Sequence, residues 1–308
     1  MTRALVIGYG SIGTRHARIL EELGCSVAVL SRREGVYPQQ YQNLGEALED
    51  FRPDYAVIAN ETSQHARTLG DLEARGFGGR VLVEKPVYSS TAQAVTTSNP
   101  EVFVAYNLRF HPLLQRLRDL LGGEALISAE VHVGQYLPDW RPGANYRDSY
   151  SARSDLGGGV LRDLSHELDY VGRLLGRWRR LTALGGCIGP LDINTEDVFS
   201  LLMVTEQCPI VSVALNYLNR SPRREVLINS HRGTFHLDLI ANLLTFRGED
   251  GEEALDATVE RDTTYRAEHQ AVLNGETEQL CTLAEAQEVL ATIEAAEEAA
   301  VEGRWITR

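Results

Sequence analysis

The chain has 308 residues, 43% of them hydrophobic, and a formal net charge of −13 at pH 7. That length exceeds one ordinary core and predicts two domains, while the negative charge opposes nonspecific nucleic-acid binding. No apolar run approaches the roughly 20 residues of a membrane helix, Thr2-Arg3 leads into a strand rather than a signal-peptide core, and Cys25, Cys187, Cys208 and Cys281 show no metal or disulfide spacing. A soluble cytoplasmic protein with structural thiols and no metal is expected.

Ala4-Leu5-Val6-Ile7 reads as a strand feeding Gly8-Tyr9-Gly10-Ser11-Ile12-Gly13, a GxGxxG turn that opens a helix from Thr14 to Leu23, stopped by Gly24. The three glycines permit a tight turn, close approach of a pyrophosphate and close helix–strand packing, and the unpaired N–H groups at the helix start face a diphosphate. A dinucleotide site is therefore expected at Gly8, Gly10, Ser11, Ile12 and Gly13. Ser26 to Leu30 gives a second strand. Beyond it, where an acidic residue would bind the ribose hydroxyls of NAD, stand Ser31, Arg32 and Arg33. A hydroxyl and two guanidiniums suit a 2′-phosphate, which favours NADP over NAD. In the alternative reading both arginines face solvent, and Glu34 or main-chain contacts serve NAD.

Leu44 to Phe51 then reads as a short helix, Tyr55 to Ala59 as a buried parallel strand, Gln64 to Arg75 as a helix, and Val81-Leu82-Val83 and Val102 to Tyr106 as strands. This alternation predicts a Rossmann-type α/β domain over residues 1–120. The pattern changes after Leu121-Gly122-Gly123. Ala125 to Tyr136 reads as a long strand, a Pro/Gly-rich loop runs to Tyr150, Leu161 to Leu175 is an amphipathic helix, and grouped strands fill Leu181 to Phe246 before a last helix, Leu283 to Glu302. Grouped strands predict an α+β domain over 121–308, with a large, mostly antiparallel open sheet that carries substrate binding and oligomerisation.

Four separated segments together resemble the family of glucose-fructose oxidoreductase, inositol dehydrogenase and MocA: the glycine-rich start, Glu84-Lys85-Pro86, Tyr106-Asn107-Leu108-Arg109-Phe110, and Gly157-Gly158-Gly159 with Asp163, His166 and Asp169. The resemblance implies an NAD(P)-dependent oxidoreductase moving a hydride between nicotinamide C4 and a carbinol or keto carbon of a sugar, cyclitol or polyol, at the cleft between the domains. It implies that Lys85 stabilises charge on the substrate oxygen and that His166 exchanges the proton, which an imidazole with an ordinary pKa of about 6.5 does at neutral pH. Asp163 precedes His166 by three residues, which on one helix puts both on the same face. Many family members space this pair four apart, so the acid–base partner stays open here, and a structural carboxylate is the other reading of Asp163. The resemblance also lays Asn60, Thr62 and His65 along the cofactor, gives Glu84 the nicotinamide ribose, makes the bond before Pro86 cis, and lines the cleft with Asn107 and Arg109. His16 reads as a packing or capping residue. A homodimer or homotetramer joined sheet to sheet follows, with Val211 to Leu215 and Leu237-Asp238-Leu239 supplying the uncovered face.

Trp140, Arg141, Tyr146 and Arg147 crowd the loop before the glycine triplet. Aromatic faces cover a pyranose and guanidiniums grip carboxylate or phosphate, so an anionic or nucleotide-linked sugar is the expected substrate. Equally, these arginines could pair with the chain's carboxylates. Two rival functions are a biliverdin-reductase-like or imine reductase, which Lys85, Asp163 and His166 disfavour, and a non-catalytic redox sensor, for which the Rossmann motif alone would suffice.

Overall fold

A computed structural model describes residues 1–98 and 100–308. Its elements run β1 (Arg3–Ile7), α1 (Ser11–Glu22), β2 (Ser26–Leu30), β3 (Gln40–Tyr41), α2 (Leu44–Glu46), β4 (Tyr55–Ile58), α3 (Thr62–Ala74), β5 (Arg80–Val83), β6 (Glu101–Val104), α4 (Pro112–Leu121), β7 (Leu126–Gly134), α5 (Val160–Asp163) and α6 (His166–Leu175). There follow β8 (Trp178–Gly186), β9 (Val198–Thr205), β10 (Val211–Asn216), β11 (Arg223–Ser230), β12 (Gly233–Asp238), β13 (Leu243–Gly248), β14 (Gly251–Asp256), α7 (Thr263–Asn274), β15 (Cys281–Thr282), α8 (Leu283–Glu302) and β16 (Ile306–Thr307). Among the described residues no helix is long and apolar enough to cross a membrane.

The chain divides into two compact units, one of Met1–Phe110 with Arg261–Leu290, the other of His111–Glu260 with Ala291–Arg308. The expected single boundary at 120/121 thus differs in two ways. Helix α4 joins the second unit, where it packs on β12 and β13, and residues 261–290 return to the first. There β15 pairs antiparallel with β6, and α7 packs on α1 and on the turn Asn107–Phe110. An otherwise open sheet edge is covered by this return.

The first unit holds a seven-stranded sheet in the order β15-β6-β5-β4-β1-β2-β3, parallel except for β15. Leu5, Val6, Val57, Ile58 and Leu82 on its central strands have no exposed surface, as strands covered on both faces require. The second unit holds a nine-stranded sheet, β14-β13-β12-β11-β7-β10-β9-β8-β16, in which only the β7–β10 pair is parallel. Here the period of two corrects one expectation. Val211, Val213, Leu215 and Leu237 point into the core, fully buried. The opposite face of that sheet carries Ser212, with Leu202 opposite it and Thr182 beyond, and Leu184 opposite Ser200. Leu184 is 76% exposed and Leu202 43%.

Candidate active site

Three turns at the carboxyl edge of adjacent parallel strands build the first part of the site: the glycine turn after β1, Asn60 after β4, and Glu84-Lys85-Pro86 after β5. Ligands of open α/β sheets bind at that edge. Gly8 has φ +98°, and a Cβ there would fall 2.5 Å from the Asn60 nitrogen; one on Gly13 would fall 2.0 Å from the Gly8 oxygen. Only glycine allows these approaches. Around a Cβ on Gly10, by contrast, nothing lies within 4 Å, and no side chain caps the 12-residue helix α1 that starts beside it. Open space next to uncapped N–H groups fits the pyrophosphate of a dinucleotide. Ser11 is exposed and Ile12 half-buried at this turn.

Past β2, Ser31 is buried and its Oγ accepts the Arg33 N–H at 3.2 Å, while the Arg33 guanidinium donates to the Tyr9 carbonyl inside the glycine turn. Arg32 is exposed. The two arginines therefore differ: one is folded onto the turn and the other is available.

Lys85 is half-buried, and it is the only lysine in the sequence; every other member of the 30 Lys+Arg residues is arginine. Its peptide bond to Pro86 is cis, as expected. Glu84 is 9% exposed; its Oε1 lies 2.8 Å from His16 Nε2 and its Oε2 accepts the Lys85 N–H at 3.1 Å. Each Glu84 oxygen thus has one protein partner, and His16 is a buried partner rather than a cap. His65, in the first turn of α3, has Nδ1 3.1 Å from the Pro86 carbonyl and Nε2 3.1 Å from the Asn60 carbonyl. Burial pushes its pKa down, against the pull of those carbonyls, and a neutral ring donates to one of the two while lying against the other. Thr62 is buried at the start of α3. Asn60 donates to Thr68 Oγ1 at 2.9 Å, and its buried Oδ1 has no hydrogen-bond partner among the described residues, which suits a ligand contact.

Asn107 and Arg109 do not line an open surface. Each is 5% exposed; Asn107 donates to Thr264 Oγ1 at 2.6 Å, and Arg109 Nη1 reaches the Leu280 carbonyl at 3.1 Å and Glu285 at 3.0 Å. These bonds fasten the returning segment 261–290 to the last Rossmann strand. Local pattern could not reveal partners about 160 residues or more away in sequence.

In the second unit the expected single helix over 161–175 is two. Helix α5 ends at Asp163 and α6 begins at His166, with Leu164 at φ −98° and ψ 29° between them. The same-face argument for Asp163 and His166 therefore fails, because it requires one uninterrupted helix. Instead Asp163 Oδ2 accepts the Tyr217 hydroxyl at 2.7 Å, and Tyr217 stacks edge-on to Trp140 with ring centroids 5.3 Å apart. Asp169 is buried on α6. Glu167, fully buried, takes two bonds from Arg224 at 2.7 and 3.2 Å and one from the Tyr170 hydroxyl at 3.2 Å.

Glu196 was not signalled by any motif. Its Oε1 accepts the Leu161 N–H at 3.3 Å at the start of α5, and burial raises its pKa to about 7, with Glu297 adding to the rise against Arg162 and local N–H groups. A carboxyl raised this far binds its proton in the folded state and releases it in the unfolded chain between about pH 4.5 and 7. Stability therefore falls as pH rises through that window, by at most about 3 kcal/mol. Glu196→Gln, which keeps the acceptor, is expected to flatten the decline in Tm between pH 5 and 8; an unchanged slope would exclude Glu196 as its source.

The loop before the glycine triplet encloses a cavity of about 290 Å³ lined by Leu137, Trp140, Arg141, Tyr146, Asp148 and Ser151, among others. Arg141 is exposed. Arg147 is committed elsewhere, lying over the Tyr146 ring and bonded to Asp192 at 2.8 Å, so the expected grip on an anion rests on Arg141 alone of this pair.

Residues 2–99 match the oxidoreductase family with the NAD-binding Rossmann fold, GFO_IDH_MocA. The rhizopine catabolism protein MocA of Rhizobium meliloti is 28% identical over 193 residues, 56% of each chain, so this chain spans about half the length of that curated relative. Among solved structures, an oxidoreductase from Agrobacterium radiobacter in complex with NAD+, L-tartaric acid and magnesium is 19% identical with a TM-score of 0.85, covering 99% of this chain and 98% of its own. Levoglucosan dehydrogenase in complex with NADH is 16% identical, TM-score 0.86, with the same coverage of 99% and 98%. UDP-N-acetylglucosamine 3-dehydrogenase GnnA from Acidithiobacillus ferrooxidans is 21% identical, TM-score 0.78, over 96% and 97% of the two chains. At these identities the likeness is one of fold.

Proposed function

We propose, from the match of residues 2–99 to the oxidoreductase family with the NAD-binding Rossmann fold, that the chain is an NAD(P)-dependent oxidoreductase of a sugar or related polyol. The observation that carries the proposal is Lys85. A chain that uses arginine at every other basic position keeps its one lysine at the sheet edge where the glycine turn also lies. Arginine is permanently charged and forked, whereas an amine is a compact charge that can also exchange a proton.

A bound nicotinamide would accept or supply the hydride. The glycine turn and the first N–H groups of α1 would hold its diphosphate, and Asn60 would offer its side-chain Oδ1. Lys85 stabilises negative charge on the substrate oxygen, His166 exchanges the hydroxyl proton, and Asp163, oriented by Tyr217, is the companion carboxylate. The Trp140-lined cavity, with Arg141 at its wall, supports an anionic or nucleotide-linked sugar as substrate. The test is a screen of keto-sugars and sugar alcohols with both nucleotides; absence of turnover with binding intact would leave the sensor reading.

The cofactor reading extends to NADP through Ser31 and the available Arg32. In fluorescence titrations NADPH is expected to bind tighter than NADH, and Arg32→Ala to weaken NADPH about tenfold while leaving NADH alone. Tighter NADH in the wild type would instead assign the enzyme to NAD.

The exposed Leu184 and Leu202 on the uncovered sheet face support a homodimer or homotetramer joined there. Light scattering is expected to give a multiple of 34.2 kDa, and Leu202→Arg to return the mass to one chain. A monomeric wild type would sink this assembly.

A further inference from the structure

Buried polar side chains in the first unit form one continuous hydrogen-bonded line. Glu84 Oε1 lies 2.8 Å from His16 Nε2, His16 Nδ1 lies 2.8 Å from His269 Nε2, and His269 Nδ1 lies 2.9 Å from the Tyr55 hydroxyl. Both histidines are 0% exposed and Tyr55 is 2% exposed. Groups buried this deeply are costly unless partnered, and here each one partners the next.

Burial and charge constrain the two ends of the line. Burial alone would raise the Glu84 pKa, but His16 and Lys85 outweigh it and hold the carboxyl below its usual range. Burial also holds His269 far below the ordinary imidazole value and Tyr55 far above the phenol value. A carboxylate only accepts, so His16 Nε2 carries a proton toward Glu84. His269, held neutral by burial, carries one ring N–H for its two contacts, so one nitrogen donates and the other accepts between His16 Nδ1 and the Tyr55 hydroxyl. At the other end, Glu84 Oε2 accepts the Lys85 N–H at 3.1 Å, and the Pro86 carbonyl sits 3.1 Å from His65 Nδ1. Lys85 is thereby held on both sides.

We propose that His16, His269 and Tyr55 are positioning residues that set the place of Lys85 by fixing Glu84, on which this strut ends. The chemical consequence rests on the reading of Lys85 given above; the strut itself does not.

A sole lysine supplies a clean reporter. Reductive methylation with ¹³C-formaldehyde labels only Lys85 and the terminal amine, and the methyl resonance of Lys85 is followed by NMR in the wild type, His269→Leu and His269→Gln, with NADH affinity measured on unlabelled protein. His269→Leu is expected to displace the resonance and weaken NADH a few-fold. His269→Gln, whose amide both donates and accepts and can restore the bond toward His16, is expected to recover both. An unmoved resonance in a folded His269→Leu protein overturns the proposal, as does equal displacement in both variants, which would assign the effect to packing volume. Should His269→Leu not fold, Tyr55→Phe removes only the far hydroxyl, and an unmoved resonance there overturns the proposal too. A wild type that binds neither NADH nor NADPH overturns the oxidoreductase reading, while the resonance still decides the strut.

Discussion

Replacing Lys85 with methionine is expected to lower kcat on the sugar substrate by about 10²–10⁴ while changing NADH affinity only a few-fold. Methionine keeps the length and apolar stem of the side chain and removes the ammonium, so the half-buried turn after β5 keeps its packing. Steady-state kinetics beside a fluorescence titration separate the two effects. Lys85→Arg tests the finer point, since it retains the charge but not the compact geometry of an ammonium. Arginine stands at 29 positions in this chain, and its failure at this one is the expected result. Full activity in Lys85→Arg would reduce the residue to a fixed positive charge, and full activity in Lys85→Met would remove it from the chemistry.

Loss of the Arg224 guanidinium is expected to be the most destabilising single change in the second unit. Glu167 is fully buried, and Arg224, 27% exposed, supplies both of the charge-assisted bonds that pair it. Arg224→Leu would leave a carboxylate in the core beside only the Tyr170 hydroxyl, at a cost of about 3–5 kcal/mol in chemical denaturation. The double variant Arg224→Leu with Glu167→Leu removes the buried charge as well and should recover much of that loss. If the double variant were no more stable than the single one, packing rather than an unpaired charge would be the cause. Because α6 opens at His166, one residue before Glu167, the same pair fixes the helix that carries the proposed proton-exchanging imidazole.

The turn after β1 and the helix after it were legible because their signals are local. Glycine spacing, an apolar run and a helix stop act within a few residues, and the α1 and β2 limits follow from them. Grouped strands likewise announced the second sheet, since period-two burial is a property of each strand alone. The face that each strand buries was not legible: Val211 to Leu215 read as a surface until pairing with β7 and β9 turned its large side chains inward. The break between Asp163 and His166 escaped the apolar period for a related reason, because a two-residue interruption leaves the hydrophobic spacing of both segments almost intact.

What the sequence determined by itself was the glycine turn after β1, the alternating and grouped element patterns, and the singular lysine. What only the tertiary structure decided was which polar residues are committed to one another. His16 meets His269 across 253 residues, Arg109 meets Glu285 across 176, and Asp163 meets Tyr217 across 54. Such pairs carry no local spacing; a buried polar group takes whatever partner the packed chain brings to it, because leaving it unpaired costs more than any propensity along the chain can return.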